Sequence, residues 1–212
     1  MIAAARRLEQ LNDLEVSVRA DQILRAHYPD LGTVAAEVRA TADAMAAHAL
    51  EISVPVAWLR QVAIRGIDGA RVELDGGAIF SSTALPTLLR GGSAVQLFVV
   101  TLGPRLDERV AELFAAMDGL EGLFLDTAGW VVVQSALSAV RRRLAARARA
   151  EGRRLTRRAG PGYVDWPLEE QAGLVGALAA GAALPGIEVL ESGAILPEKT
   201  ITGLFGLVLN KE

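Results

Sequence analysis

The spacing of hydrophobic residues in the first quarter of the chain predicts two helices. Residues 17–27 form a short helical stretch that ends before Pro29. Residues 33–49 form a longer stretch rich in alanine, with Asp30 or Thr33 placed to act as its N-cap. Alanine has the highest helix propensity and proline ends a helix, so the pattern predicts two helices with a break between them.

Strand patterns follow in the middle of the chain. Residues 61–65 and 71–75 alternate around Asp68-Gly69, which predicts a β-hairpin, and residues 77–81 are suited to a third strand. Residues 94–102 are a continuous run rich in Val, Leu and Phe. Such a run is typical of a central strand that is buried on both faces.

The remaining pattern completes an α+β chain. It predicts helices at 83–89, 104–116, 122–150 and 167–180, and strands at 187–190, 194–196 and 201–209. No internal repeat or low-complexity linker interrupts residues 1–212. We therefore expect a single domain with an irregular mixed or antiparallel sheet packed by long helices.

Composition narrows the function classes. With 212 residues, of which 51% are hydrophobic, the chain can bury a substantial core. Its net charge of −3 argues against a nucleic-acid partner. The apolar stretches at 93–102 and 172–184 are too short to span a membrane and no secretory signal is evident, so we expect a cytoplasmic protein. Because the chain contains no cysteine, disulfide, thiolate and zinc-thiolate chemistry are excluded.

A dense run of arginines follows the apolar part of the longest predicted helix. Two interpretations are open: a solvated helix C-terminus whose cations complement the helix dipole, or a docking face for an acidic partner or for a phosphate group. The run comprises Arg141, Arg142, Arg143, Arg147, Arg149, Arg153, Arg154, Arg157 and Arg158.

The segment 157–167, Arg-Arg-Ala-Gly-Pro-Gly-Tyr-Val-Asp-Trp-Pro, concentrates residues that suit a ligand site. Gly160 and Gly162 allow the main chain to approach a bound group closely. Arg158 offers a forked donor, Tyr163 a ring face and Asp165 an acceptor. The alternative is a turn between helices plugged by an aromatic side chain, with Asp165 as a cap and Trp166 in the core.

The C-terminal part of the chain resembles one family at three points in the right order. Arg158, Gly162 and Tyr163 match an Arg-x-x-x-Gly-Tyr signature. Glu191-Ser192 is followed by Pro197 and then by a small-hydroxyl-Gly segment, Thr200-Ile201-Thr202-Gly203. This pattern resembles the activation domain of cobalamin-dependent methionine synthase, in a free-standing version, over residues 145–206.

The resemblance implies a ligand and a role. The ligand is S-adenosylmethionine, and the implied role is to position this methyl donor during reductive methylation of oxidised cobalamin. The side chain of Arg158 is expected to pair with the methionine carboxylate of the ligand. The expected ligand-binding residues are Arg158, Gly160, Gly162, Tyr163, Asp165, Glu191 and Ser192; for Glu191 and Ser192 a capped turn before Pro197 is the alternative.

The resemblance also implies partners. Neither His27 nor His48 lies in a cobalamin-binding motif, so we expect no metal site and no catalytic residue in this chain, with cobalamin carried by a partner. The expected partners are a cobalamin-binding methionine synthase or another corrinoid protein, and an external electron-transfer protein. The alternative function is a non-enzymatic docking protein for another corrinoid methyltransferase that has lost S-adenosylmethionine binding.

Overall fold

The computed structural model describes residues 7–209. Within that part of the chain, seven antiparallel strands form the main sheet and two more form a separate hairpin. In chain order the strands are β1 (Glu9–Leu11), β2 (Val56–Asp68), β3 (Arg71–Leu74), β4 (Ile79–Ser81), β5 (Gly92–Thr101), β6 (Arg153–Ala159), β7 (Glu188–Val189), β8 (Ile195–Leu196) and β9 (Thr200–Leu209). The helices are α1 (Ala20–Leu24), α2 (Ala36–Ile52), α3 (Ala84–Leu88), α4 (Arg105–Ala115), α5 (Gly119–Ala150) and α6 (Gln171–Ala179), with short 3-10 turns at Leu31–Thr33 and Leu168–Glu170.

The main sheet runs in the order β4-β3-β2-β5-β9-β6, with β1 beside the first part of β2. The apolar strand β5 lies at the centre, between β2 and β9. Phe98 of β5 stacks on Phe205 of β9, with 5.0 Å between the ring centroids. Both faces of β5 are buried, which confirms the prediction from its continuous apolar run.

One face of the sheet is covered by α1, α2, α4 and α5. The long helix α5 buries side chains from Phe124 to Ala148 and forms the centre of this layer. A Cβ atom at Gly129 would lie 2.6 Å from Cδ2 of Leu106, so glycine at this position allows α4 to pack closely against α5.

The helix α5 is also long and apolar enough to cross a membrane by length and composition, which the expectation drawn from residues 93–102 and 172–184 missed. In the fold, 56% of its most apolar window is buried. The apolar side chains of α5 pack against the sheet and the neighbouring helices, so α5 is a core helix of this fold.

The opposite face of the sheet is covered by α3, α6 and the loop after β6. Trp58, Val62 and Leu97 of the sheet pack there against Leu174 and Trp166. This second apolar cluster holds the segment 160–166 against the sheet.

Several predicted elements are confirmed and others are wrong. The hairpin at Asp68-Gly69 forms, with Asp68 paired to Arg71. The sheet is antiparallel throughout the described strands, within the predicted α+β class. Asp30 accepts a hydrogen bond from the Gly32 N–H at 2.8 Å and caps the 3-10 turn, whereas α2 starts separately at Ala36. The predicted N-cap of the second helix is therefore wrong.

The largest correction concerns residues 153–159. They were predicted to lie in the basic helix end and the following loop, but they form strand β6, which pairs with β9. Arginines on both faces of the segment conceal its strand character in the sequence, whereas pairing with β9 buries Thr156 between them. Strand β1 was not predicted either.

Candidate functional site

Strand β6 carries the first residues of the candidate site at the edge of the sheet. Its pairing with β9 is irregular between Leu155 and Arg158. There the Thr156 hydroxyl accepts a hydrogen bond from the Gly206 N–H at 2.8 Å in place of a ladder bond. Such an irregularity redirects the following side chain, which here is Arg158.

Arg158 is held by an aromatic neighbour but keeps one donor group without an acceptor. The Cζ atom of its guanidinium lies 4.9 Å from the centroid of the Tyr163 ring. Its Nη1 atom is buried and makes no hydrogen bond within residues 7–209. A buried N–H without an acceptor costs free energy, so this geometry suits an anionic ligand group.

Glycine is required at positions 160 and 162 for different structural reasons. Gly162 has φ of +82°, and its N–H donates to the Trp166 carbonyl at 2.8 Å, so it closes a tight turn. Gly160 is buried, and a Cβ atom there would lie 3.1 Å from the Thr202 carbonyl oxygen. Glycine at position 160 therefore allows the end of β6 to lie against β9.

Asp165 lies across the loop from the start of α3. One carboxylate oxygen accepts from the Ser82 hydroxyl at 2.6 Å, and the other accepts from the Thr83 N–H and hydroxyl, each at 2.6 Å. The Ser82 hydrogen bond, followed by those from Thr83, lowers the pKa of Asp165 well below its usual range. These contacts are those of a capping acceptor, the alternative left open by the sequence, and a ligand contact by Asp165 stays a prediction.

Trp166 forms the wall behind the loop. The indole is buried, lies 5.2 Å from Phe80 between ring centroids, and donates from Nε1 to Glu170 at 2.7 Å. Glu170 also accepts from the Ser81 N–H at 3.1 Å, so it joins the loop to strand β4. The sequence did not single out Glu170 as part of the site; it ends the 3-10 turn Leu168–Glu170, four residues after Trp166.

Around these groups lies a pocket of about 160 Å³ between β6, α3 and the loop of residues 160–167, which we call the signature loop. We call the pocket the signature pocket. It brings together Arg158, Gly160 and Tyr163 from the predicted set, whereas Gly162, Asp165, Glu191 and Ser192 are not among its lining residues. The lining residues are Ser82, Ala84, Leu85, Leu88, Arg157, Arg158, Ala159, Gly160, Tyr163, Val164 and Trp166.

Glu191 and Ser192 lie in the turn between β7 and β8. Both are exposed, and the Ser192 hydroxyl accepts from the Ala194 N–H at 3.3 Å within the turn. Gly193 packs against Leu168, whose side chain also lies next to Gly162. The β7-β8 hairpin therefore packs against the signature loop through Leu168. This geometry is that of the capped turn, and ligand roles for Glu191 and Ser192 stay predictions.

A second charged group, at the start of β9, was not anticipated. Lys199 is 1% exposed, and its Nζ atom lies 2.7 Å from Asp126 and 3.6 Å from Asp107. Burial raises the pKa of Asp107, against the effects of the Glu198 N–H and Lys199. The Nζ atom of Lys199 also lies 5.2 Å from the centroid of the Trp130 ring. Nothing in the local pattern around Lys199 indicates that this lysine is buried.

The histidines have ordinary neighbours. His27 Nε2 is hydrogen-bonded to Thr127 Oγ1 at 2.8 Å, and His48 lies 3.5 Å from Glu51. No cluster of three or more His, Cys, Asp or Glu side chains in residues 7–209 is arranged to hold a metal ion.

The fold of this chain is similar to that of a protein of known structure. No family model matches the sequence, and no curated protein matches it either. A crystal structure of the MetH reactivation domain bound to AdoHcy superposes with a TM-score of 0.63 at 12% sequence identity, over 97% of this chain and 80% of that chain. The chain therefore has an α+β fold of the activation-domain type, as the resemblance implied.

Proposed function

We propose that this chain binds S-adenosylmethionine in the signature pocket and acts as a reactivation subunit for a cobalamin-dependent methionine synthase. The observation that carries the proposal is the buried Nη1 donor of Arg158, which lacks an acceptor beside this pocket within residues 7–209. Its support comes from the fold, which is similar to that of a reactivation domain solved with AdoHcy. The chain's part in this function is to orient a methyl donor and to exclude water from it.

The pocket residues suit the parts of such a ligand. Arg158 is placed to pair with the methionine carboxylate, because a guanidinium binds a carboxylate through two parallel hydrogen bonds. Tyr163, with 57% of its surface exposed, offers a ring on which the adenosine part can pack. Leu85 and Leu88 supply an apolar wall. When bound, S-adenosylmethionine itself supplies the activated methyl group.

The size of the signature pocket matters for this role. At about 160 Å³ it is smaller than the roughly 300–1,000 Å³ of most small-molecule sites. A ligand anchored there would be enclosed only in part, and its remaining part would stay open to a partner chain. Such partial exposure suits a donor whose methyl group must reach a corrinoid carried by another protein.

We place the cobalamin and the reductant outside this chain. His27 and His48 have hydrogen-bonding neighbours, and neither lines the signature pocket. The proposed partners are a cobalamin-binding methionine synthase and an external electron-transfer protein. The proposed location is the cytoplasm.

A second candidate function rests on the same pocket. Its small volume, together with the placement of Glu191 and Ser192 outside it, favours a chain that retains the fold but has lost the ligand. In that case the chain is a docking protein for another corrinoid methyltransferase.

Isothermal titration with S-adenosylmethionine and S-adenosylhomocysteine tests the two functions against each other. We expect saturable binding by the wild-type chain and by Arg154→Ala, a control on the same strand whose side chain does not line the signature pocket. A fall in affinity of about tenfold or more in Arg158→Ala, with an unchanged thermal melt, supports the proposal. Absence of binding by the wild-type chain at millimolar ligand, with capture of a purified corrinoid protein, supports the docking function instead.

A further inference from the structure

The arginines of α5 divide into two groups with opposite surroundings. On one side, Arg143 makes two contacts of 2.7 Å to Asp13, and Arg147 contacts both carboxylate oxygens of Glu9 at 2.6 and 2.7 Å. These pairs neutralise that side of the helix and tie it to the N-terminal segment. The pairing raises the pKa of both guanidinium groups.

The other side of the same helix faces strand β6. Arg141, Arg142 and Arg149 of α5, with Arg154 of β6, line a groove of about 530 Å³. We call this the basic groove. Among the described residues, no carboxylate forms an ion pair or hydrogen bond with any of these four side chains, and none lines the groove.

The cluster does not follow from the overall charge of the chain, because its 25 Asp and Glu residues outnumber its 22 Lys and Arg residues. Four like charges around one groove repel one another, which destabilises the fold unless something offsets it. The groove also has a floor of Ala145 and Leu155 and a hydroxyl from Ser138, and its volume falls within the usual range for small-molecule sites. All four arginines are exposed, so the groove differs from an ordinary solvated helix end in the clustering of its cations around one concave surface and not in their burial.

We propose that the basic groove binds a small molecule that carries two or more linked phosphate groups. Arginine is suited to phosphate because its planar fork makes paired hydrogen bonds to phosphate oxygens. Arg142 and Arg149 are seven residues apart on α5, about 10.5 Å along the axis. A chain of linked phosphates can span this length, whereas a single phosphate group reaches both arginines only if both side chains bend towards it.

The basic groove is separate from the signature pocket, with which it shares no lining residue. Arg141 also lines an adjoining cavity with Arg157 and Arg158, so the positive surface continues round the edge of β6. The proposal does not depend on S-adenosylmethionine binding, and each can fail without the other.

Calorimetric titration with inorganic tripolyphosphate tests the proposal. We expect saturable binding with one ligand per chain, weaker binding of orthophosphate, and a fall in affinity as salt is raised. The double substitution Arg142→Gln/Arg149→Gln should weaken binding by about tenfold or more, since it removes charge-assisted hydrogen bonds. Binding of S-adenosylmethionine should be unchanged in the same variant.

The matched control is Arg25→Gln/Arg105→Gln, which makes the same change in net charge at two exposed arginines outside the groove. This control should keep the wild-type affinity for tripolyphosphate. Equal losses in the two double variants, or no saturation with the wild-type chain, would overturn the proposal. Binding of a poly-glutamate peptide without binding of tripolyphosphate would also overturn it, in favour of an acidic protein surface.

Discussion

The guanidinium group of Arg158 lies over the ring of Tyr163, with 4.9 Å from Cζ to the ring centroid. Arg158 belongs to strand β6 and Tyr163 to the loop after it, so the contact links two parts of the signature. A cation over an aromatic face at an exposed site contributes about 0.5–1 kcal/mol. Tyr163, a residue of the signature, therefore helps to fix the orientation of the Arg158 side chain.

Removal of Arg158 should affect ligand binding without unfolding the chain. Arg158→Ala is expected to weaken S-adenosylmethionine binding by about 1.5–3 kcal/mol, the range for a hydrogen bond to a charged group. Arg158→Lys should restore only part of the affinity, because lysine lacks the planar fork. Isothermal titration measures both effects, and an unchanged affinity in Arg158→Ala would remove this residue from the site.

Substitution of Tyr163 separates stacking from hydrogen bonding. Tyr163→Phe keeps a ring over Arg158 and should bind S-adenosylmethionine nearly as well as the wild-type chain. Tyr163→Leu removes the ring and should lower the affinity by up to about 1 kcal/mol. Equal affinities for the Phe and Leu variants would show that the ring does not orient Arg158.

The turn at Gly162 should tolerate no side chain without cost. Gly162→Ala places a Cβ at positive φ and 3.2 Å from Cδ1 of Leu168, and we expect a loss of about 1–2 kcal/mol in the free energy of unfolding. Gly152→Ala is the matched control, because Gly152 also has positive φ but a Cβ there contacts nothing within 4 Å. Gly162→Val should cost more than either and should also abolish ligand binding. Chemical denaturation measures the three, and wild-type stability in Gly162→Ala would contradict the expectation.

Asp165 should make the stability of the chain depend on pH in acid. Its pKa is lowered in the folded state, chiefly by the Ser82 hydroxyl and then by Thr83, so its stabilising effect is complete above the unfolded value near 3.9. That effect is lost as the pH falls below this value towards the folded pKa. Asp165→Asn should therefore melt at a lower temperature than the wild-type chain at neutral pH, and the difference should shrink below about pH 4.

Thermal melts from neutral pH into acid measure this effect. Asp43→Asn, at an exposed position on α2, is the control and should follow the wild-type curve. A constant difference between Asp165→Asn and wild type at every pH would show that the carboxylate charge does not matter for the cap.

The buried Lys199 should be a strong determinant of stability. Lys199→Met leaves Asp107 and Asp126 without their cation, and breaking a buried pair costs roughly 3–5 kcal/mol. We expect a value near the lower end, because the Asp126 side chain is 34% exposed to water. Adding Asp126→Asn should recover part of the loss, which a double-mutant cycle by chemical denaturation detects. Additive losses would show that the two charges do not interact.

The sequence pattern predicts those elements that are determined by residues close together in the chain. The apolar run of β5, the Asp-Gly turn of the β2-β3 hairpin and the long helix α5 each follow from residues close together in the sequence. The α+β class and the activation-domain-like fold were also predictable, the latter from the spaced signature rather than from periodicity. The single-domain assignment stays a prediction.

Other features depend on residues that are distant in the chain. Strand β6 is arginine-rich and becomes a strand only because β9 pairs with it. The partners of Asp165 lie 83 and 82 positions away, so its role as a cap could be weighed but not decided from the sequence. Likewise, Lys199 is buried only where α4 and α5 meet the start of β9.

The place of β9 in the sheet has a consequence for how the chain assembles. β9 lies between the central strand β5 and the edge strand β6, although it follows β6 in the chain. Until β9 pairs, β6 has no neighbour among the described strands of the sheet, and Arg158 has no fixed position. Formation of the candidate site thus depends on a long-range pairing, so a substitution that disrupts β9 should impair the site even where the core helix and the β2-β3 hairpin are intact.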